Sequence, residues 1–168
     1  MMPAVIVQAK LTNQVVAGMQ WLSSHTDTPV AAWEAWARGH AVPIPVGRDF
    51  VVVRLPGGLG QAAVAQLAAN TPDLVGPVLV NHSAVEVFLP TTPAVWQGPG
   101  AELVVGHGAS TRMIKCPPPG READRRKWLF PPRALPGRIA ALTDPHRLAE
   151  AIALARRRIH LAAHPAGV

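Results

Sequence analysis

The chain has 168 residues, 49% of them apolar, and a formal net charge of +6 at pH 7. We expect a single domain over 1–168, with residues 1–10 and 161–168 as loosely ordered termini, and burial of roughly 70% of the extended chain's surface. The one cysteine, Cys116, excludes an internal disulfide and a cysteine-rich zinc site. There is no apolar run of about 18 residues and no basic segment before the first apolar one. These features predict a soluble, cytoplasmic protein.

The charge is divided unevenly along the chain. Residues 1–100 contain four basic and five acidic side chains, whereas residues 101–168 contain twelve basic and five acidic ones. A one-sided basic excess is typical of a surface that binds nucleic acid or another polyanion. The alternative is a solvated arginine face without a ligand.

Four helices are predicted from apolar periodicity and from end signals. The spacing of Leu11, Val15, Met19 and Leu22 predicts a helix over 11–23. Thr28-Pro29 is a helix start and Gly39 a helix end, which gives a helix over 29–38. The other two helices are predicted over 59–69 and over 145–160; Asp144 caps the latter, whose buried stripe is Leu148, Ile152, Ala155 and Ile159.

The strands are predicted from short apolar runs bounded by turns. Residues 50–55 form one strand, and 77–81 and 84–89 form a hairpin. Segments 102–105 and 110–115 form a second strand pair around Gly106-His107-Gly108. The proline-rich segment 117–138 is predicted as an irregular loop. The result is an α+β fold with a mixed sheet of about five or six strands and about four helices.

The order of several short segments resembles a known domain. These are the Ala/Trp-rich helix followed by Val42-Pro43-Ile44-Pro45-Val46 and a valine strand, then Val87-Phe88-Leu89-Pro90, Gly106-His107-Gly108, the run 112–119, Trp128-Leu129-Phe130-Pro131-Pro132 and Thr143-Asp144-Pro145. Together they resemble the Prim-Pol domain, the N-terminal catalytic module of bifunctional DNA primase/polymerases in the archaeo-eukaryotic primase class. The closing segment is similar to that of small, stand-alone actinobacterial members.

The resemblance also implies where catalytic residues would lie. In working members the valine strand ends in paired acids that hold a divalent metal, but here it ends in Val53-Arg54-Leu55. The nucleotide-contacting histidine of the family would fall where this chain has Glu86. We therefore expect a degenerate active site without metal or cofactor. A rebuilt site from Asp49, His82, Glu86 and His107 is the alternative, and only then would Mg²⁺ or Mn²⁺ bind.

Arg54 is the residue with the sharpest pair of alternatives. It either projects into a cleft and holds a phosphate, or pairs with an acid such as Glu86. Trp128 either stacks a base or anchors its loop. The remaining candidate contacts to nucleic acid or phosphate are Arg112, Lys115, Arg121, Arg125, Arg126, Lys127 and Arg133.

These observations favour a catalytically degenerate Prim-Pol-like protein that binds nucleic acid or nucleotide, or that acts as a regulatory module. One alternative is a protein–protein adaptor that uses the proline-rich loop 117–137 and has no affinity for nucleic acid. The other is an enzyme with a relocated active site. No membrane partner is expected.

Overall fold

The computed structural model describes residues 4–91, 101–104, 112–135, 138–139 and 142–165. Within these ranges the helices are α1 (Ala4–Ser23), α2 (Pro29–Ala37), α3 (Gly57–Asn70) and α4 (Pro145–Ala163), with a 3₁₀ turn at Pro72–Leu74. The strands are β1 (Val42–Pro45), β2 (Phe50–Pro56), β3 (Val78–Val80), β4 (Ala84–Pro90), β5 (Glu102–Val104), β6 (Met113–Cys116), β7 (Lys127–Phe130), β8 (Ala134–Leu135) and β9 (Arg138–Ile139).

The main sheet has five strands in the order β5-β2-β4-β3-β7. Two further ladders, β1–β6 and β8–β9, are separate from it, and every described ladder is antiparallel. The predicted α+β class is confirmed, as are the four helices and the hairpin formed by β3 and β4.

Both faces of the main sheet are covered by other elements. The side chains of β2 point alternately to the two faces and show which elements cover each one. Val51, Val53 and Leu55 belong to a core with α3 and α4. Phe50 and Val52 belong to a second core with α1, α2 and the β1–β6 ladder. Because successive strand side chains point to opposite faces, Arg54 lies on the same face as Phe50 and Val52. That face carries the candidate site.

The ends of two helices follow the predicted signals. Helix α2 begins at Pro29 and is followed by Gly39, whose φ of +84° suits a glycine. Helix α4 is capped by Asp144, whose carboxylate accepts the Arg147 backbone N–H at 3.0 Å. The predicted buried stripe of α4 is wrong at its last position, because Ile159 is 46% exposed where the helix runs beyond the core.

Two strand predictions are wrong. The segments 102–105 and 110–115 were expected to pair, but β5 pairs with β2 and β6 pairs with β1. Burial explains the choice, since Ile114 and Cys116 of β6 face the same core as Val42 and Ile44 of β1. The segment 117–138 is not wholly irregular, because it contains β7, β8 and the first residue of β9. Strand β7 occupies an edge of the main sheet, where flanking prolines are tolerated.

The proline-rich segment packs against α1. Pro117, Pro118 and Pro119 are buried, and a Cβ atom at Gly18 would lie 2.9 Å from the Pro132 carbonyl oxygen and 3.0 Å from Pro119 Cγ. This close approach explains why a glycine interrupts the apolar pattern of α1.

Within the described ranges, none of the helices combines the length and the apolar character needed to cross a bilayer.

Candidate nucleic-acid interface

A buried carboxylate held by two arginines lies at the centre of the candidate site. Glu86 is 1% exposed and stands opposite Arg54 in the β2–β4 ladder. Its Oε1 accepts from Arg54 Nε at 3.0 Å and lies 2.9 Å from Arg54 Nη2, while its Oε2 accepts from Arg126 Nη2. We call these three residues the arginine–glutamate cluster. Of the two alternatives for Arg54, the structure shows the pairing with Glu86.

Arg126 reaches the cluster from a tight turn that precedes β7. Ala123 and Arg126 form a two-residue hairpin bridge, with backbone N–H···O distances of 3.1 and 3.0 Å. Arg126 Nε also donates to the Lys115 carbonyl oxygen at 2.8 Å, and the Asp124 carboxylate accepts the Ala41 backbone N–H at 2.8 Å. The basic turn, residues 123–126, is therefore fixed to β6, to the segment before β1 and to Glu86.

The residues do not fit a divalent metal. Two-metal phosphoryl transfer needs carboxylate oxygens that are free to bind cations, but both Glu86 oxygens accept from guanidinium groups. Asp49 precedes β2 at the end opposite Arg54, about 17 Å away along the strand. His82 lies in the exposed turn between β3 and β4. Asp49, His82 and Glu86 are thus not brought together, and His107 lies outside the described residues.

Among the described residues, no three His, Cys, Asp or Glu side chains are placed so that they could bind one metal ion.

Asp49 has a partner that sequence reasoning missed. Its Oδ2 lies 2.8 Å from Nδ1 of His25, and the His25 ring is T-shaped against Trp21 and Phe50, with centroid distances of 4.8 and 5.3 Å. The two residues are 24 positions apart, and no motif spacing links them. The pair joins the end of α1 to the start of β2, which is a structural use of the acid.

Two further members of the predicted basic set also contact protein acceptors. Arg121 donates to the carbonyl oxygen of Trp36. Arg133 lies at hydrogen-bond distance from the carbonyl oxygens of Pro72 and Val75, at 3.3 and 3.4 Å. With Arg126, these side chains help to hold irregular segments in place. Their number explains part of the basic excess without a ligand.

The exposed cations lie near the basic turn. Lys115, Arg125 and Lys127 are exposed, as is Arg112 at the start of β6. The hydrogen bond from Arg126 to the Lys115 carbonyl oxygen brings β6 beside the turn. Lys115, Arg125 and Lys127 therefore flank the hydrogen bonds that hold the turn in place. An exposed group of cations on a rigid frame is suited to contact with phosphates.

Trp128 is fixed from two sides. Its Nε1 donates to the Pro117 carbonyl oxygen at 2.8 Å, and its ring lies 5.6 Å from that of Phe88. These contacts favour the anchoring alternative over base stacking. The burial of the adjacent proline run also means that a protein partner for the loop 117–137 would meet its later residues, such as Arg125 and the 44% exposed Leu129.

Cys116 completes the buried floor below the cluster. The side chain is fully buried in the core shared by β1 and β6. Burial raises the pKa of the Cys116 thiol. The positive charge of Arg126 acts to lower this pKa, and the negative charge of Glu86 acts to raise it further. Because the thiolate is the reactive form, nucleophilic chemistry at this residue is disfavoured.

A concave surface lies on the opposite side of the main sheet from the arginine–glutamate cluster. A cavity of about 410 Å³ between α3 and α4 is lined by both signs of charge, including Asp144, Arg147 and Glu150. Arg147 is already engaged there, with its Nη1 lying 3.3 Å from Thr71 Oγ1. The cavity contains none of the residues predicted as site residues from the sequence.

Comparison with known proteins adds no relative: no family model, curated protein or solved structure matches this chain.

Proposed function

We propose that the protein is a non-catalytic, Prim-Pol-like module that binds nucleic acid through the basic surface around β6 and the basic turn. The observation that carries the proposal is the arginine–glutamate cluster, where two cations share one buried carboxylate. The cluster leaves a net positive charge at the strand position where the resembled polymerases keep their metal-binding acids. A cation there is suited to phosphate rather than to Mg²⁺.

The surroundings of the cluster support the same function. Lys115, Arg125 and Lys127 are exposed around it, and the frame that displays them is held by hydrogen bonds to Glu86, Lys115 O and Ala41 N. A backbone that is already held in place loses little loop freedom on binding, so more of the interaction energy of its cations becomes affinity. Electrostatic contact of this kind is sequence-independent and salt-dependent.

Salt-dependent binding is the direct test. Fluorescence anisotropy with labelled single-stranded and duplex oligonucleotides should show an affinity that falls steeply as salt rises. The double variant Arg125→Ala/Lys127→Ala should weaken binding and lower the slope of log K against log salt by about 2, since two phosphate contacts are lost. Arg126 is left unchanged in this variant because it also holds Glu86.

The matched control is Arg157→Ala/Arg158→Ala, which removes the same charge from exposed positions on α4. It should leave the slope near that of the wild type. EDTA should not alter affinity, because the Glu86 oxygens that could have bound a metal already accept from arginines. Equal losses in both double variants would reduce the effect to net charge. If the protein bound a nucleoside triphosphate but no oligonucleotide, its ligand would be a nucleotide rather than a nucleic acid.

A further inference from the structure

The basic turn has a backbone that its sequence does not favour. Its two central residues both have positive φ, +50° at Asp124 and +60° at Arg125. With the two-residue bridge between Ala123 and Arg126, this is the geometry of a type I′ hairpin turn. Such turns strongly prefer glycine at the second central position, because a Cβ atom is crowded at positive φ. Here that position is an arginine.

The two strained residues differ in what the fold gives them. Asp124 is a residue type that tolerates positive φ, and its carboxylate binds the Ala41 backbone N–H. Arg125 is exposed, and its side chain contacts no acceptor among the described residues. The fold therefore keeps a residue with an unfavourable backbone conformation at the tip of the turn, although its side chain makes no stabilising contact with the described residues. Strain of this kind is characteristic of positions kept for contact with a ligand.

The turn is also held rigidly enough to present one side chain in a fixed place. Arg126, the next residue, is anchored by Glu86 and by the Lys115 carbonyl oxygen. Lys115 and Lys127 add positive charge beside it, and the exposed Glu122 and Asp124 are the acids of this segment, with the Asp124 carboxylate bound to the Ala41 backbone N–H. The surroundings of the Arg125 guanidinium thus favour an anion.

We propose that Arg125 is the principal phosphate contact of the nucleic-acid site, displayed on the strained turn to meet one backbone phosphodiester. This inference rests on the proposed function, and it assigns one role within that surface. The guanidinium can donate two parallel hydrogen bonds to phosphate oxygens, which a lysine cannot do. A phosphodiester offers that pair of oxygens in single and double strands alike.

Arg125→Gly separates a binding role from a structural one. Glycine relieves the strain at φ +60°, so the melting temperature should rise by up to about 4 °C. The same variant should lose affinity for the oligonucleotide and lower the slope of log K against log salt by about 1. Arg125→Lys keeps both the charge and the strain, so it should keep most of the salt slope and show no rise in melting temperature. Lys127→Ala, the matched single-charge variant on β7, should lose less affinity than Arg125→Gly.

The outcomes distinguish this inference from the function on which it rests. If the wild type binds and Arg125→Gly binds equally well, Arg125 is not the contact, while nucleic-acid binding stands. A lower melting temperature for Arg125→Gly would show that the arginine stabilises the turn, which overturns the argument from strain. If the wild type binds no oligonucleotide even at low salt, both proposals fail together.

Discussion

Glu86 is a buried carboxylate whose two arginines contribute unequally to the free energy of unfolding. The Arg126 side chain is 16% exposed and also binds the Lys115 carbonyl oxygen, whereas the Arg54 side chain is 36% exposed. Removing one partner of a buried ion pair leaves an uncompensated charge, which is more costly where water has less access. We expect Arg126→Ala to destabilise the protein by about 3–5 kcal/mol and Arg54→Ala by about 1–3 kcal/mol.

Urea unfolding of the two variants measures this difference. Arg38→Ala provides the control, because it breaks the exposed Arg38–Glu34 pair, with Nη2···Oε2 at 3.3 Å, one turn apart on α2. Such pairs contribute about 0.5 kcal/mol or less. If Arg126→Ala were as mild as Arg38→Ala, the cluster would not stabilise the fold, and Arg126 would be available for a ligand.

The sequence identified the members of this cluster but not their arrangement. Arg54 stands out as a lone cation on an apolar strand, and Glu86 is an acid on another predicted strand, 84–89. Their contact depends on the register that sets Arg54 opposite Glu86, which a one-residue shift would destroy. Arg126 is 40 residues from Glu86 and belongs to an irregular segment. No periodicity places such a residue, so its role required the structure.

Helix α3 approaches the main sheet closely at one glycine. A Cβ atom at Gly60 would lie 2.5 Å from Val85 Cβ and 3.2 Å from Leu55 Cβ. Although alanine favours helix over glycine by up to about 1 kcal/mol, this overlap would push α3 away from β2 and β4. We expect Gly60→Ala to destabilise the protein by about 1–3 kcal/mol.

Gly58→Ala is the matched control within the same helix, because an added Cβ there meets no atom within 4 Å. Thermal unfolding should place it at or slightly above the wild type. A stabilised Gly60→Ala variant would show that α3 can move outward without loss of stability, and that its packing on the sheet is looser than the approach of Gly60 to Val85 and Leu55 indicates.

Element boundaries are predictable where end signals are local, and so is the hairpin of β3 and β4, but the partners of strands that lie far apart along the chain are not. Pro29 and Pro145 mark helix starts correctly because a proline needs no N–H donor in the first turn. The pairing of β6 with β1 joins segments about 70 residues apart. That choice is made by the apolar face that both strands bury, which adjacency along the chain does not reveal.

At the scale of the whole molecule, the main sheet separates two hydrophobic cores. Because the two cores share strands of this sheet, each excludes water only when the other has also formed. One core includes α3 and α4, and the other includes α1, α2 and the β1–β6 ladder. The strand β2 contributes alternate side chains to each. An apolar run such as that of β2 is typical of a strand buried on both faces, but it does not indicate which helices cover each face, because amphipathic helices can pack on either side of such a sheet.

Cys116 links this second core to the pH dependence of the free energy of unfolding. Burial raises the pKa of its thiol in the folded state, whereas the unfolded thiol ionises near its ordinary value of 9.0. Below that value both states keep the proton and the thiol adds no pH dependence. Above it the unfolded state releases the proton while the folded state retains it, so stability falls as pH rises, by up to about 1.4 kcal/mol per pH unit.

The composition makes this effect measurable, because the chain has no tyrosine and only three lysines. Urea unfolding between pH 8 and about 10 should show the decline in the wild type. Cys116→Ala is less stable overall because it leaves a small cavity, but it should lack most of the alkaline decline. Parallel declines in the two proteins would mean that the folded thiol ionises as readily as the unfolded one. The floor beneath the arginine–glutamate cluster would then be open to water, and the cluster would have lost the burial that makes its pairing costly to break.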